Sequence, residues 1–63
     1  MIVNPLKRYR NIKTGAVYEI MCSNAMHTET DEQMVVYRRN DIDGVRVWIR
    51  PLELFKQKFE EVI

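Results

Sequence analysis

The chain has 63 residues, 46% hydrophobic and 30% charged, with ten basic against nine acidic side chains and a formal net charge of +1. That length allows one domain, 1–63, which buries only about 60% of the surface its unfolded chain exposes. A core of this size rarely supplies more than about 3–5 kcal/mol, and side chains spent on pocket walls are lost from it, which argues against a deep, water-excluded active site. The charge balance argues against bulk duplex DNA as a partner, and the absence of a long apolar run argues against membrane insertion.

Asn4-Pro5 favours an extended or turn start, so residues 1–7 read as a loose arm, too short for a secretion signal. Lys13-Thr14-Gly15 is a turn signal, with Gly15 able to take a positive φ. Ala16 to Ala25 then reads as a strand with Tyr18, Ile20 and Cys22 on one face and Val17, Glu19 and Met21 on the other. Thr28 to Gln33 is polar and acidic, in keeping with an exposed loop rather than a tight hairpin. Met34 to Arg39 is a second strand by its β-branched and aromatic content.

Asn40-Asp41-Ile42-Asp43-Gly44 carries the strongest hairpin signal, because Asp-Gly tolerates left-handed backbone angles. Two registers compete for that hairpin. Pairing Arg39 with Val45 sets Val36 opposite Trp48, whereas pairing Arg39 with Arg46 sets Tyr37 opposite Trp48. Both place two arginines across from each other, so repulsion does not choose. The second is preferred because it gathers Tyr37 with Trp48 on one face and Met34, Val36, Val47 and Ile49 on the other. Val45 to Arg50 alternates cleanly, with the valines and Ile49 expected to face an oily interior and Arg46, Trp48 and Arg50 to face outward. Pro51 ends the ladder. Leu52, Phe55 and Phe59 recur at helical spacing, predicting a short helix or 3₁₀ turn at Pro51 to Phe55. Gln57 to Ile63 is either its continuation or a closing strand. The expected architecture is mostly β: a small, strongly bent antiparallel sheet or an SH3-like barrel with a short helical turn near the C-terminus.

Few residues carry chemistry. His27 is the sole histidine, with Glu29 two positions on, but no Ser/His/Asp order stands out and one imidazole does not make a metal site. A structural role is the simpler reading, with Thr28 and Thr30 bonding nearby backbone. The single Cys22 excludes an internal disulfide and a cysteine zinc cluster; its apolar neighbours point to a small buried hydrophobe in a reduced, cytoplasmic setting. Lys7, Arg8, Arg10 and Lys13 cluster early and Glu29, Asp31 and Glu32 midway, a complementarity that between exposed groups is worth about 0–1 kcal/mol. Arg46, Trp48 and Arg50 project from one strand face at steps of about 6.6–6.8 Å, so two guanidinium groups bracket the indole. Such a set stacks a base or cups a phosphate. Alternatively, Trp48 caps the open end of a small barrel with arginine stems packed over it.

The combination of Tyr9, Lys13-Thr14-Gly15, Tyr18-Glu19-Ile20, His27-Thr28-Glu29-Thr30, Val35-Val36-Tyr37 and Trp48-Ile49-Arg50-Pro51-Leu52-Glu53-Leu54-Phe55 resembles a family of short bacterial and phage proteins catalogued as domain of unknown function 1653. The resemblance runs from about Tyr9 to Phe59. It implies a small, bent, SH3-like β structure and carries no activity with it; SH3-like folds do not share partners. Met26 stands where the family pattern commonly has a basic residue, and the loop from Asn40 to Gly44 is differently composed.

These readings lead to a non-enzymatic binding or adaptor domain without cofactor or metal. Its expected contact surface is Tyr9, His27, Glu29, Tyr37, Trp48 and Arg50, meeting a small ligand or a peptide segment. Trp48 is the anchor, Arg50 the donor to an anion, and Glu29 either the ion-pair partner of Arg50 or a ligand acceptor. The rival is a single-stranded nucleic-acid module using Arg38, Arg39, Arg46, Trp48 and Arg50. Pairing with a second copy is a further expectation, since so small a sheet leaves uncovered edges.

Overall fold

The computed structural model describes Val3 and residues 7–39 and 46–62. The Asn40 to Gly44 turn lies outside the described residues, as do residues 1, 2 and 4–6 of the expected arm. Val3 is 4% exposed and packs into the core. Five strands, β1 (Arg8–Asn11), β2 (Val17–Met26), β3 (Gln33–Arg38), β4 (Val47–Pro51) and β5 (Phe59–Glu61), form one antiparallel sheet, and α1 (Leu52–Lys58) links the last two. The order across the sheet is β4-β3-β2-β1-β5. Its two end strands do not pair with each other, so the sheet is open and bent rather than closed into an SH3-like barrel.

Local chemistry sets each connection. Between β1 and β2 the Asn11 side-chain carbonyl accepts from the Lys13 and Thr14 amides at 3.0 and 3.1 Å. The Gly15 amide donates to the Asn11 carbonyl at 2.7 Å. Gly15 has φ 78°, the left-handed geometry the turn requires, and a Cβ there would meet nothing within 4 Å. Glycine is needed for its backbone alone. Between β2 and β3 the His27 amide donates to the Glu32 carbonyl and the Asp31 amide to the His27 carbonyl, both at 2.8 Å, with Asp31 at φ 57°. The expected exposed loop is a hydrogen-bonded connection of residues 27–32, and its residues 28–32 are all exposed.

β2 bends because it carries two register shifts against β3. Ile20 pairs with Tyr37, Cys22 with Val36 and Ala25 with Met34, so β2 spends one extra residue at each step. Bulges of this kind curve a strand and increase its twist. The first also changes side: Tyr37 and Val36 are neighbours on β3 and point to opposite faces, so their partners Ile20 and Cys22 do too. Cys22 therefore leaves the Tyr18/Ile20 face on which alternation would place it. It is half-buried, not a core residue, and its thiol lies 3.0 Å from Asn24 Oδ1.

β3 and β4 pair without a shift, in the register that sets Tyr37 opposite Trp48. Pro51 closes β4 and precedes α1, where Glu53 in the first turn and Lys56 and Lys58 in the last complement the helix dipole. Seven residues are too few for an independent helix, so packing holds this one. Its Phe55 is fully buried and stacks on Phe59 at 4.1 Å between ring centroids with a 5° interplanar angle. Past Lys58 the chain closes as a strand: β5 lies antiparallel to β1, with Arg10–Glu60 at 3.3 Å and Lys7–Glu61 at 3.8 Å. The helix thus carries the chain from one end of the sheet to the other across its inner face.

That face holds the core. Val3, Tyr9, Ile20, Val35, Tyr37, Phe55 and Phe59 are buried there, with Tyr18, Trp48 and Leu52 packed against them. Every aromatic side chain of the protein belongs to one network of ring contacts, most of them edge-to-face. Such pairs add about 0.5–1.5 kcal/mol each beyond the area they bury. No buried side-chain nitrogen or oxygen among the described residues lacks a partner.

Candidate functional site

The two faces of β4 are the reverse of the sequence expectation. Val47 and Ile49 are 46% and 60% exposed, whereas Trp48 turns inward, 5.5 Å from Tyr18 at 82° and 6.4 Å from Tyr37 at 19°. Arg50 follows it, with Cζ 5.7 Å from the centroid of Phe59. The reason is the aromatic mass on the neighbouring strands. Tyr37 and Val35 of β3 and Tyr18 and Ile20 of β2 already define an interior, and the strand at the sheet's end must offer its largest ring to it. The arginine stem then lies over the rings with its head at the rim. Trp48 packs against the core of an open sheet rather than capping the end of a barrel, and the arrangement overturns the outward Arg46-Trp48-Arg50 face.

The six residues expected at a contact surface fall into three places. Tyr9 and Tyr37 are core residues, 1% and 4% exposed. Trp48 and Arg50 are half-buried at the core's rim. His27 and Glu29 sit in the β2–β3 connection, where His27 Nδ1 accepts the Glu29 amide at 3.1 Å. That bond makes His27 a loop-shaping residue whose Nδ1 is an acceptor, and Thr30 Oγ1 does similar work on the Glu32 amide at 3.2 Å. Among the described residues no ion pair joins Glu29 to Arg50. Among the described residues no group of three His, Cys, Asp or Glu could hold a metal ion, and no helix is long and apolar enough to cross a membrane.

What the fold does bring together is a shallow groove of about 670 Å³, lined by Arg8, Thr14, Gly15, Ala16, Val17, Tyr18, Arg39 and Val62. Each wall has a local cause. The Asn11-anchored turn presents Thr14 to Ala16, β1 presents Arg8, and the Val62 amide donates to the Arg8 carbonyl at 2.9 Å, holding the C-terminal segment alongside. Arg39, just past β3, lies with Cζ 5.8 Å from the centroid of Tyr18. Tyr18 in turn touches Trp48, so the groove floor is continuous with the aromatic core. No Asp or Glu is among the described lining residues. Glu19, the cross-strand partner of Arg8, is held from its other side by Arg38, whose Nε and Nη2 both reach Glu19 Oε2 at 3.3 Å. Among the described residues the groove therefore joins two arginines, an aromatic ring and a glycine-containing turn.

A family model described as protein of unknown function, DUF1653, matches residues 7–62. The chain belongs to this family. No curated protein and no solved structure matches the chain. The DUF1653 match takes in every described residue that lines the groove, from Arg8 to Val62, and the β1–β2 and β2–β3 connections. Sequence reading missed the groove because Arg8 and Arg39 lie 31 positions apart, on β1 and just past β3, and only the folded sheet brings both to one lining. Lys13-Thr14-Gly15 was legible as a turn, and Arg39 only as part of a basic set on the other hairpin.

Proposed function

We propose that this DUF1653 domain is a non-enzymatic cytoplasmic binding module that holds an anionic group, carboxylate or phosphate, of a small ligand or peptide segment between Arg8 and Arg39. The supporting observation is the groove itself: two arginines line it and its described lining contains no acidic side chain. Guanidinium groups bind carboxylate and phosphate oxygens through paired, charge-assisted hydrogen bonds. Tyr18 and Val17 give such a ligand an apolar wall. Single-stranded nucleic acid is the weaker reading, because Arg39 lies over the Tyr18 ring and Tyr37, Trp48 and Phe59 pack against it. A base stacks on Tyr18 only after Arg39 moves.

Trp48 is the single tryptophan and touches Tyr18, so its fluorescence reports on the groove. Titration at low salt with inorganic phosphate, a short polyglutamate peptide and oligothymidylate compares the three chemistries. The expected result is a saturable change with phosphate or the acidic peptide that weakens at least about tenfold in Arg39→Ala and with rising salt. No saturable change with any of them would end the reading. Saturation by oligothymidylate alone would favour the nucleic-acid module instead.

A further inference from the structure

β4 forms one end of the sheet, and among the described residues no strand pairs with its outer side. The opposite end is β5, only three residues long, with Glu60 and Glu61 exposed and tied to Arg10 and Lys7. Short, charged edge strands are how sheets avoid further pairing. β4 is longer and less charged, with Arg50 and Pro51 confined to its C-terminal end. It runs five residues in unbroken register with β3 and exposes Val47 and Ile49 on the outer face. A flat strand with apolar, β-branched side chains and outward-facing peptide groups is a template for another strand.

We propose that β4 pairs antiparallel with β4 of a second copy of this chain, about a two-fold axis through Ile49, making one continuous sheet of ten strands. The sequence of β4 selects that register. With the axis at Trp48, Arg46 would stand opposite the partner's Arg50, and with the axis at Arg50 the two Arg50 side chains would meet. Shifting by one residue would set Trp48 against the partner's Ile49 and join the inner face of one sheet to the outer face of the other. With the axis at Ile49, the outer face matches Ile49 with the partner's Ile49 and Val47 with the partner's Pro51. On the inner face Trp48 lies opposite the partner's Arg50, a cation beside an indole, and symmetry makes the contact twice. Arg46 then approaches the start of the partner's α1, where Glu53 carries negative charge. None of the groove's lining residues lies on β4, so this pairing stands independently of ligand binding.

The contact is narrow, below the roughly 1,000 Å² of a robust interface, so the dimer is concentration-dependent. Sedimentation velocity of the whole chain from about 1 µM to about 1 mM tests it. The wild type moves from monomer to twice that mass. Ile49→Lys weakens the association at least about tenfold, while Ile12→Lys, which removes an equally exposed apolar side chain from the β1–β2 turn, leaves it unchanged. Hydrogen exchange at the β4 amides slows with concentration in the wild type and not in Ile49→Lys. A monomer mass at every concentration would overturn the proposal, and so would Ile49→Lys associating as tightly as the wild type.

Discussion

The inner and outer faces of the sheet are built from the same alternating strands but stabilised by different physics. The inner face joins three tyrosines, two phenylalanines and the tryptophan into one packed network. The outer face carries ion pairs, Arg38–Glu19 and Arg10–Glu60, whose side chains are 34–54% exposed. Burial of one large apolar side chain is worth about 1.5–3 kcal/mol, whereas an exposed pair gives about 0–1 kcal/mol. In a domain with about 3–5 kcal/mol to lose, the interior follows the rings. Alternation alone says that a strand has two faces, not which is inside.

The contrast is open to breaking at graded positions. Phe55→Ala removes a fully buried ring stacked on Phe59, a loss of about 3–5 kcal/mol that leaves little folded population by near-UV dichroism at 25 °C. Gly15→Ala keeps every contact but places a side chain at φ 78°, costing about 1–2 kcal/mol in urea unfolding. Glu19→Gln removes the Arg38 ion pair on the outer face and shifts the urea midpoint by no more than about 1 kcal/mol equivalent, less in high salt. A Glu19→Gln effect as large as that of Phe55→Ala would mean that the outer face contributes as much as the core.

Much of this architecture was legible in the residues. The Gly15 turn, the β-branched strands, the end of β4 at Pro51 and the helical spacing of Leu52 and Phe55 each rest on local chemistry, and local chemistry is what a sequence records. The β3–β4 register was not fixed by the residues, which allow two pairings; the structure has the preferred one, with Tyr37 opposite Trp48. What that pairing left open was direction. Two arginines beside Trp48 and three aliphatics on the other side suggest an outward indole, but Tyr18, Phe55 and Phe59 outweigh Val47 and Ile49 once the helix folds over the sheet. The bulge at Met21 was invisible for a different reason. A bulge inserts a residue without requiring a particular one, so Cys22 changes face with no sign in the sequence. The groove depends on strand order across three strands, which no local pattern encodes.

The orientation of β4 is tested most directly by urea unfolding of Trp48→Ala and Ile49→Ala, followed by far-UV dichroism at about 1 µM so that the protein is monomeric. Trp48→Ala should lose about 2 kcal/mol or more, and Ile49→Ala should stay within about 0.5 kcal/mol of the wild type. The opposite order, with Ile49 costly and Trp48 dispensable, would place the aliphatic side of β4 in the core and contradict the inward indole.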